Sequence, residues 1–221
     1  MKKVSLLIII LCLFITGCGK KEVVVKNWQT TITTKESLMS EEIKSIFNRA
    51  TSGKPYKALA LLATQVVAGS NYMYLALEDN ASYKIIAIHN NLSNEASIMT
   101  VSDFDYTKYT FENFEYQNQT LSGGWNVYTS PMLSSTKNNV LDGDVLRVFE
   151  SATKNLVGAV YLPIANLGYL DEDGTKYAIL CYGELATANN DEGIFLVTLY
   201  NTGNTNEIIS SAYVNLGDFN K

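Results

Sequence analysis

The sequence predicts an α+β fold built twice over, each unit one helix packed on a curved four-stranded antiparallel sheet. Three observations lead there. The first is an internal repeat of about 100 residues. Asn27-Trp28 matches Gly124-Trp125, and Ile46-Phe47-Asn48-Arg49-Ala50-Thr51 matches Val148-Phe149-Glu150-Ser151-Ala152-Thr153. Tyr72 falls against Tyr177, His89-Asn90 against Tyr200-Asn201, and the stretch from Val101 to Lys108 against that from Val214 to Lys221. The offset grows from 97 to 113, each step falling where a loop is expected. The second observation is one apolar stripe at helical spacing early in each copy. The third is four strand-like runs after each stripe, in a chain with 14 tyrosines and many β-branched residues. The boundaries are 1–17 for a leader, 18–26 for a modified cysteine and tether, 27–115 for the first unit and 116–221 for a second, degenerate unit.

The leader comes first. Lys2 and Lys3 precede an apolar run from Leu6 to Ile15 that is too short to span a bilayer. It ends in Ile15-Thr16-Gly17-Cys18, which resembles a bacterial lipobox. That resemblance implies cleavage before Cys18, lipidation of Cys18 and anchoring at the extracytoplasmic face of a bacterial membrane. The other reading is an ordinary cleaved signal with an incidental cysteine. Removing Lys2 and Lys3 takes the formal charge from −5 to −7, which is no footprint for nucleic acid. With 47% hydrophobic and 18% charged residues, the rest of the chain has the composition of a folded protein.

In the first unit Ile43, Ile46, Phe47 and Ala50 share one helical face. Ser40 is placed to cap that helix, Glu41 and Glu42 suit its positive end, and Gly53-Lys54-Pro55 stops it. Val145, Val148, Phe149 and Ala152 repeat the pattern after Asp142-Gly143-Asp144. A lone helix of this length is marginal in water, so each needs a sheet. Met73, Leu75 and Leu77 alternate with Tyr72, Tyr74 and Ala76 across a strand. Residues 83–88 and 194–200 are nearly continuous apolar runs and suit central strands. Residues 109–123 contain the linker.

Chemistry is sparse. One histidine and one thiol in the mature chain argue against a His/Cys metal site or a Cys–His nucleophile, so neither enzyme activity nor a cofactor is expected. His89 reads as a packing or surface residue, since the other copy has tyrosine there. Cys181, in Ala178-Ile179-Leu180-Cys181-Tyr182, reads as a small core residue. Asp171-Glu172-Asp173-Gly174 lacks the ligand spacing of a calcium loop and reads as an acidic turn.

The most specific stretch is Thr64-Gln65-Val66-Val67-Ala68-Gly69-Ser70-Asn71-Tyr72, between two strand-like runs. It contains Gln-x-Val-x-Gly and is similar to the first inhibitory hairpin of the cystatins, protein inhibitors of papain-like cysteine peptidases. The resemblance extends upstream through Tyr56 to Ala60 and downstream to a strand near Ile98 to Phe104. It implies that Gln65, Val66, Val67, Ala68 and Gly69 enter a peptidase cleft as a wedge. Gly69 would supply the turn, the three apolar residues the fill, and Gln65 a polar handle. Two other family elements depart from the pattern. No glycine precedes the first helix after Gly19, although Gly123-Gly124 does so in the second copy. The Pro-Trp loop is replaced by Asn90-Asn91-Leu92-Ser93-Asn94 and by Asn201-Thr202-Gly203-Asn204-Thr205. The second copy's hairpin is expected at Pro163-Ile164-Ala165-Asn166-Leu167-Gly168, where only the glycine remains. The alternative is a non-inhibitory envelope lipoprotein that uses the fold to bind another protein or ligand.

Overall fold

The structure is a computed structural model that describes residues 29–30, 39–78, 82–110, 126–127, 141–171, 173–186 and 191–219. The leader, Cys18, the tether, Trp28 and Trp125 lie outside the described residues.

Strands dominate. The first sheet holds β1 (Gln29–Thr30), β2 (Tyr56–Val67), β3 (Gly69–Glu78), β4 (Tyr83–Asn90) and β5 (Ala96–Asp103), hydrogen-bonded in that order. The second holds β6 (Asn126–Val127), β7 (Ala159–Asp171), β8 (Thr175–Leu185), β9 (Asp191–Asn201) and β10 (Asn206–Tyr213) in the same relative order. All pairings are antiparallel. Helix α1 (Glu41–Ala50) precedes β2, and α2 (Gly143–Thr153) precedes β7. Ser40 Oγ accepts from Ile43 N, and Asp142 Oδ1 accepts from Asp144 N and Val145 N, so each helix starts on a capping side chain. After β5 and β10 the chain makes one 3-10 turn, Tyr106–Tyr109 and Leu216–Phe219.

The expected α+β class, with one helix on a four-stranded sheet as the organising core of each unit, is overturned. Each sheet has a fifth strand of two residues, and the helices are only 10 and 11 residues long. More important, the largest core lies between the two sheets. Leu59, Leu62, Met73, Leu75 and Ile85 of the first sheet bury against a cluster that includes Ile164, Leu167, Leu180, Ile194 and Leu196 of the second. Among the described residues no α-helical one belongs to that cluster. The molecule is predominantly antiparallel β, sheet against sheet, with the helices as minor contributors.

Strand alternation explains why. On β3, Met73, Leu75 and Leu77 join the inter-sheet core, while Tyr74 and Ala76 turn to the other face. There they meet Ile46 and Phe47 of α1, with the Phe47 and Tyr74 rings edge to face at 5.0 Å and Tyr74 Oη donating to Ile43 O. Both faces of the central strands are apolar because both are covered. Val145, Val148 and Phe149 of α2 share a third cluster with Ile179, Cys181, Phe195 and Val197.

Polar contacts also join the sheets. Tyr83 Oη donates to Leu167 O at 2.8 Å. Thr100 Oγ1 on β5 donates to Phe219 O at 3.1 Å, and Ser210 Oγ on β10 donates to Thr110 O at 3.0 Å. The donors of these last two bonds are equivalent, and their acceptors differ by one place, Phe219 ending its turn and Thr110 following its own. Thr100 and Ser210 each lie three residues before their strand's end, and Phe104 N→Tyr83 O has its counterpart in Val214 N→Ile194 O. The repeat therefore pairs Phe104 with Val214, three residues away from the register read off the sequence.

Truncating the inter-sheet core should destabilise the whole chain. Leu75→Ala is expected to cost about 2–5 kcal/mol and to lower one cooperative transition, followed by calorimetry. A second melting step left at its original temperature would contradict a shared core.

Alkali should weaken the same core. Burial, aided by the Asp105 charge, pushes the Tyr106 hydroxyl up to about 12, whereas an exposed tyrosine titrates near pH ~10. The unfolded chain loses this proton first, so the contribution is complete below pH ~10 and fades as pH rises through the folded value. Denaturation midpoints should fall as the pH rises from about 10 to about 12, and by less in Tyr106→Phe.

Candidate functional site

β2 and β3 join through a single residue. Val67 pairs with Gly69, and Ala68 bends between them. Gly69 has φ +109°, a region L side chains rarely adopt. A Cβ there would stand 2.3 Å from Asn90 O and 3.0 Å from Asn91 Cα. Backbone conformation and space both demand glycine, and its bare Cα seats the hairpin against the start of the β4–β5 loop.

The tip is open to solvent. Val66 is 56% exposed, Val67 42%, and Ala68 is exposed as well. Gln65 is half-buried at the shoulder of the turn, where Asn71 Nδ2 donates to its Oε1 at 2.7 Å. Asn71 is only 5% exposed, and its Oδ1 lies 2.7 Å from His89 Nδ1. Gln65, Asn71 and His89 are direct cross-strand partners on β2, β3 and β4. His89 is thus not a plain packing or surface residue. It ends a polar row leading to the hairpin.

The neighbouring loop is braced from within. Asn91 Oδ1 accepts from Ser93 N and Glu95 N, both at 2.9 Å, and Asn91 N donates to Glu95 O. Arg49 of α1 reaches across to Asn94 Oδ1 at 2.8 Å and Asn90 Oδ1 at 3.3 Å. The loop's apex is Leu92, 85% exposed, so a fourth apolar side chain stands in the loop that abuts Gly69. β1 arrives at the same end, with Gln29 paired to Thr64, one residue before Gln65. Strand β1, the hairpin and the second loop therefore converge on one edge of the first sheet.

Sequence reasoning found the hairpin and missed its supports. Asn71, Arg49, Asn91 and Leu92 carried a signal only in part. Asparagine at the start of a short polar loop marks a turn that bonds its own backbone, but an arginine on a helix says nothing about which loop it will reach.

The second hairpin is not where the sequence placed it. Pro163 to Gly168 lies inside β7, at two register shifts, and β7 turns into β8 at Asp171–Thr175. The counterpart of Gly69 is Gly174, with φ +138° and an added Cβ 2.5 Å from Asn201 O. Asn126 pairs with Tyr169, five residues before Gly174, as Gln29 pairs with Thr64, five before Gly69. Where the first edge has Gln65, Asn71 and His89, the second has the cross-strand row Leu170, Lys176 and Tyr200. Leu170 is buried, and Lys176 Nζ sits 5.8 Å from the Tyr200 ring centroid. Asp171 and Asp173 flank the turn, so this edge is acidic rather than apolar.

Elsewhere the chemistry is quiet. Cys181 is fully buried and burial pushes its thiol well up, which leaves it unreactive. Among the described residues no three His, Cys, Asp or Glu side chains gather to hold a metal, and no helix is long and apolar enough to cross a membrane. An exposed apolar tip with one ordered amide at its shoulder is equipped to dock into a groove.

Gly69→Ala should cost about 1–3 kcal/mol and loosen the tip, read as a lower melting temperature. Gly143→Ala, at a helix start with open space around it, should cost nothing or stabilise slightly. Equal melting points for wild type and Gly69→Ala would contradict the close approach.

No family model matches the chain, and no curated protein matches its sequence.

Proposed function

We propose that the chain is a lipid-anchored, cystatin-like inhibitor of papain-like cysteine peptidases and not an enzyme, with Gln65, Val66, Val67, Ala68 and Gly69 forming the wedge. The observation that carries this reading is the exposure of the tip. Val66 and Val67 are exposed, as is Ala68, because the apolar contacts with the second sheet run through Leu59 to Ala63 and Met73 to Leu77 and stop short of the hairpin end. A hairpin kept only for folding has no need of exposed valines beside an exposed leucine. Small apolar groups on a stiff turn fill a hydrophobic groove at low entropic cost. A wedge that offers no strained or ionisable group blocks a nucleophile without reacting with it.

Leu92 supports the reading from the second loop. The family's Pro-Trp pair is missing there, and the braced Asn91–Glu95 turn holds an aliphatic side chain outward in its place. The second unit supports a passive role for its own edge, since Leu170, Lys176 and the flanking aspartates offer neither the polar handle nor the apolar tip. Anchoring through Cys18 would place this edge at the outer face of a bacterial membrane.

Residues 19–221 should inhibit papain-like peptidases, and the paired change Gln65→Ala/Gly69→Trp should abolish it. Val66→Asp should weaken inhibition at least about tenfold, because it asks a groove to desolvate a carboxylate. A folded chain that shows no inhibition at micromolar concentration sinks the proposal and favours the ligand-binding lipoprotein. Separately, Cys18→Ser should move the full chain from the membrane to the soluble fraction, and unchanged fractionation would refute the anchor.

A further inference from the structure

We propose that Asn71 and His89 are positioning residues for Gln65, holding its carboxamide in one orientation so that the hairpin meets its partner with the polar handle already ordered. The inference rests on the reading of the hairpin as a wedge and adds two residues to that site.

The geometry is a directional chain. Asn71 Nδ2 donates to Gln65 Oε1, which leaves Asn71 Oδ1 facing His89 Nδ1, both contacts at 2.7 Å. With Asn71 in this orientation its Oδ1 accepts, so Nδ1 carries the proton and the hydrogen bonds run from His89 through Asn71 to Gln65. Asn71 is 5% exposed and sits between the two as cross-strand partner of each. With the proton on Nδ1, its amide cannot turn over without setting donor against donor at His89. The orientation of Gln65 is therefore dictated from two strands away.

The turn itself does not need this row. Around Gly174 the second hairpin keeps the same close approach to the facing strand, while its own row is Leu170, Lys176 and Tyr200. A buried leucine stands where Gln65 would be. A fold that holds its hairpin with or without the polar row keeps the row for another purpose. Ordering a long flexible side chain before contact lowers the entropy lost on binding, and Gln65 is the one polar side chain of the wedge.

Two measurements decide the matter. Long-range proton–nitrogen NMR of residues 19–221 at alkaline pH should show neutral His89 with its proton on Nδ1. A proton on Nε2 instead overturns the relay. In inhibition assays with papain, His89→Leu and Asn71→Leu should each weaken binding about tenfold, with His89→Gln, which retains an N–H donor, largely restoring it. In the Gln65→Ala background His89→Leu should have no further effect, because its action passes through Gln65. Equal losses in both backgrounds overturn the positioning role, and matched near-ultraviolet circular dichroism keeps misfolding apart from it. Wild-type protein that fails to inhibit removes the wedge reading. The NMR result still stands or falls alone.

Discussion

The structure depends on the burial of one sheet face against another. Strands such as β3 carry apolar side chains on both faces, and water must be excluded from both. One face meets Ile46 and Phe47, but the larger area, from Leu59 through Leu77 and Ile85, is closed only by Ile164, Leu167, Leu180 and Leu196 of the other sheet. Dispersion and the hydrophobic effect act over the whole contact, and neither unit keeps this larger face buried without the other. Tyr83 and Leu167 add a buried hydrogen bond within that layer, where an unmatched partner would be costly.

A stiff sandwich of this kind frees its ends for recognition. The edge holding Gln65 to Gly69 is built on strand termini, not on a long loop, and its conformation follows from two local facts. Gly69 lies against Asn90, and Asn91 folds the adjoining turn around its own carboxamide. Arg49 then ties that turn to α1. Exposed valines and a leucine on so rigid a mount lose little freedom on meeting a surface.

Much of this was legible in the sequence. The helix stripes, the Ser40 cap, the alternation of β3 and the hairpin at Gly69 all follow from local periodicity and turn chemistry, which act over a few residues. What failed was non-local. Met73, Leu75 and Leu77 announce a second buried face without saying what covers it, so the helix was credited with a core that the opposite sheet provides. The second hairpin went astray because Gly168 mimics the spacing of the motif from within a strand, at a register shift that has no compositional signature. The Asn71–His89 row was hidden for the same reason, since residues 18 positions apart become neighbours only through strand register.

The two inter-sheet bonds from Thr100 to Phe219 O and from Ser210 to Thr110 O have a meaning beyond their modest strength. Each unit's final turn is received by the other unit's last strand, at equivalent strand positions and one residue apart on the turns. Such an exchange approximates the isologous contact that two identical subunits make about a two-fold axis. One continuous chain thus carries the symmetry of a dimer while its two halves are no longer obliged to be alike. Here that liberty is visible in the edges, one apolar with an amide row and the other acidic with a lysine over a tyrosine. Covalent linkage has turned a symmetric scaffold into an asymmetric surface.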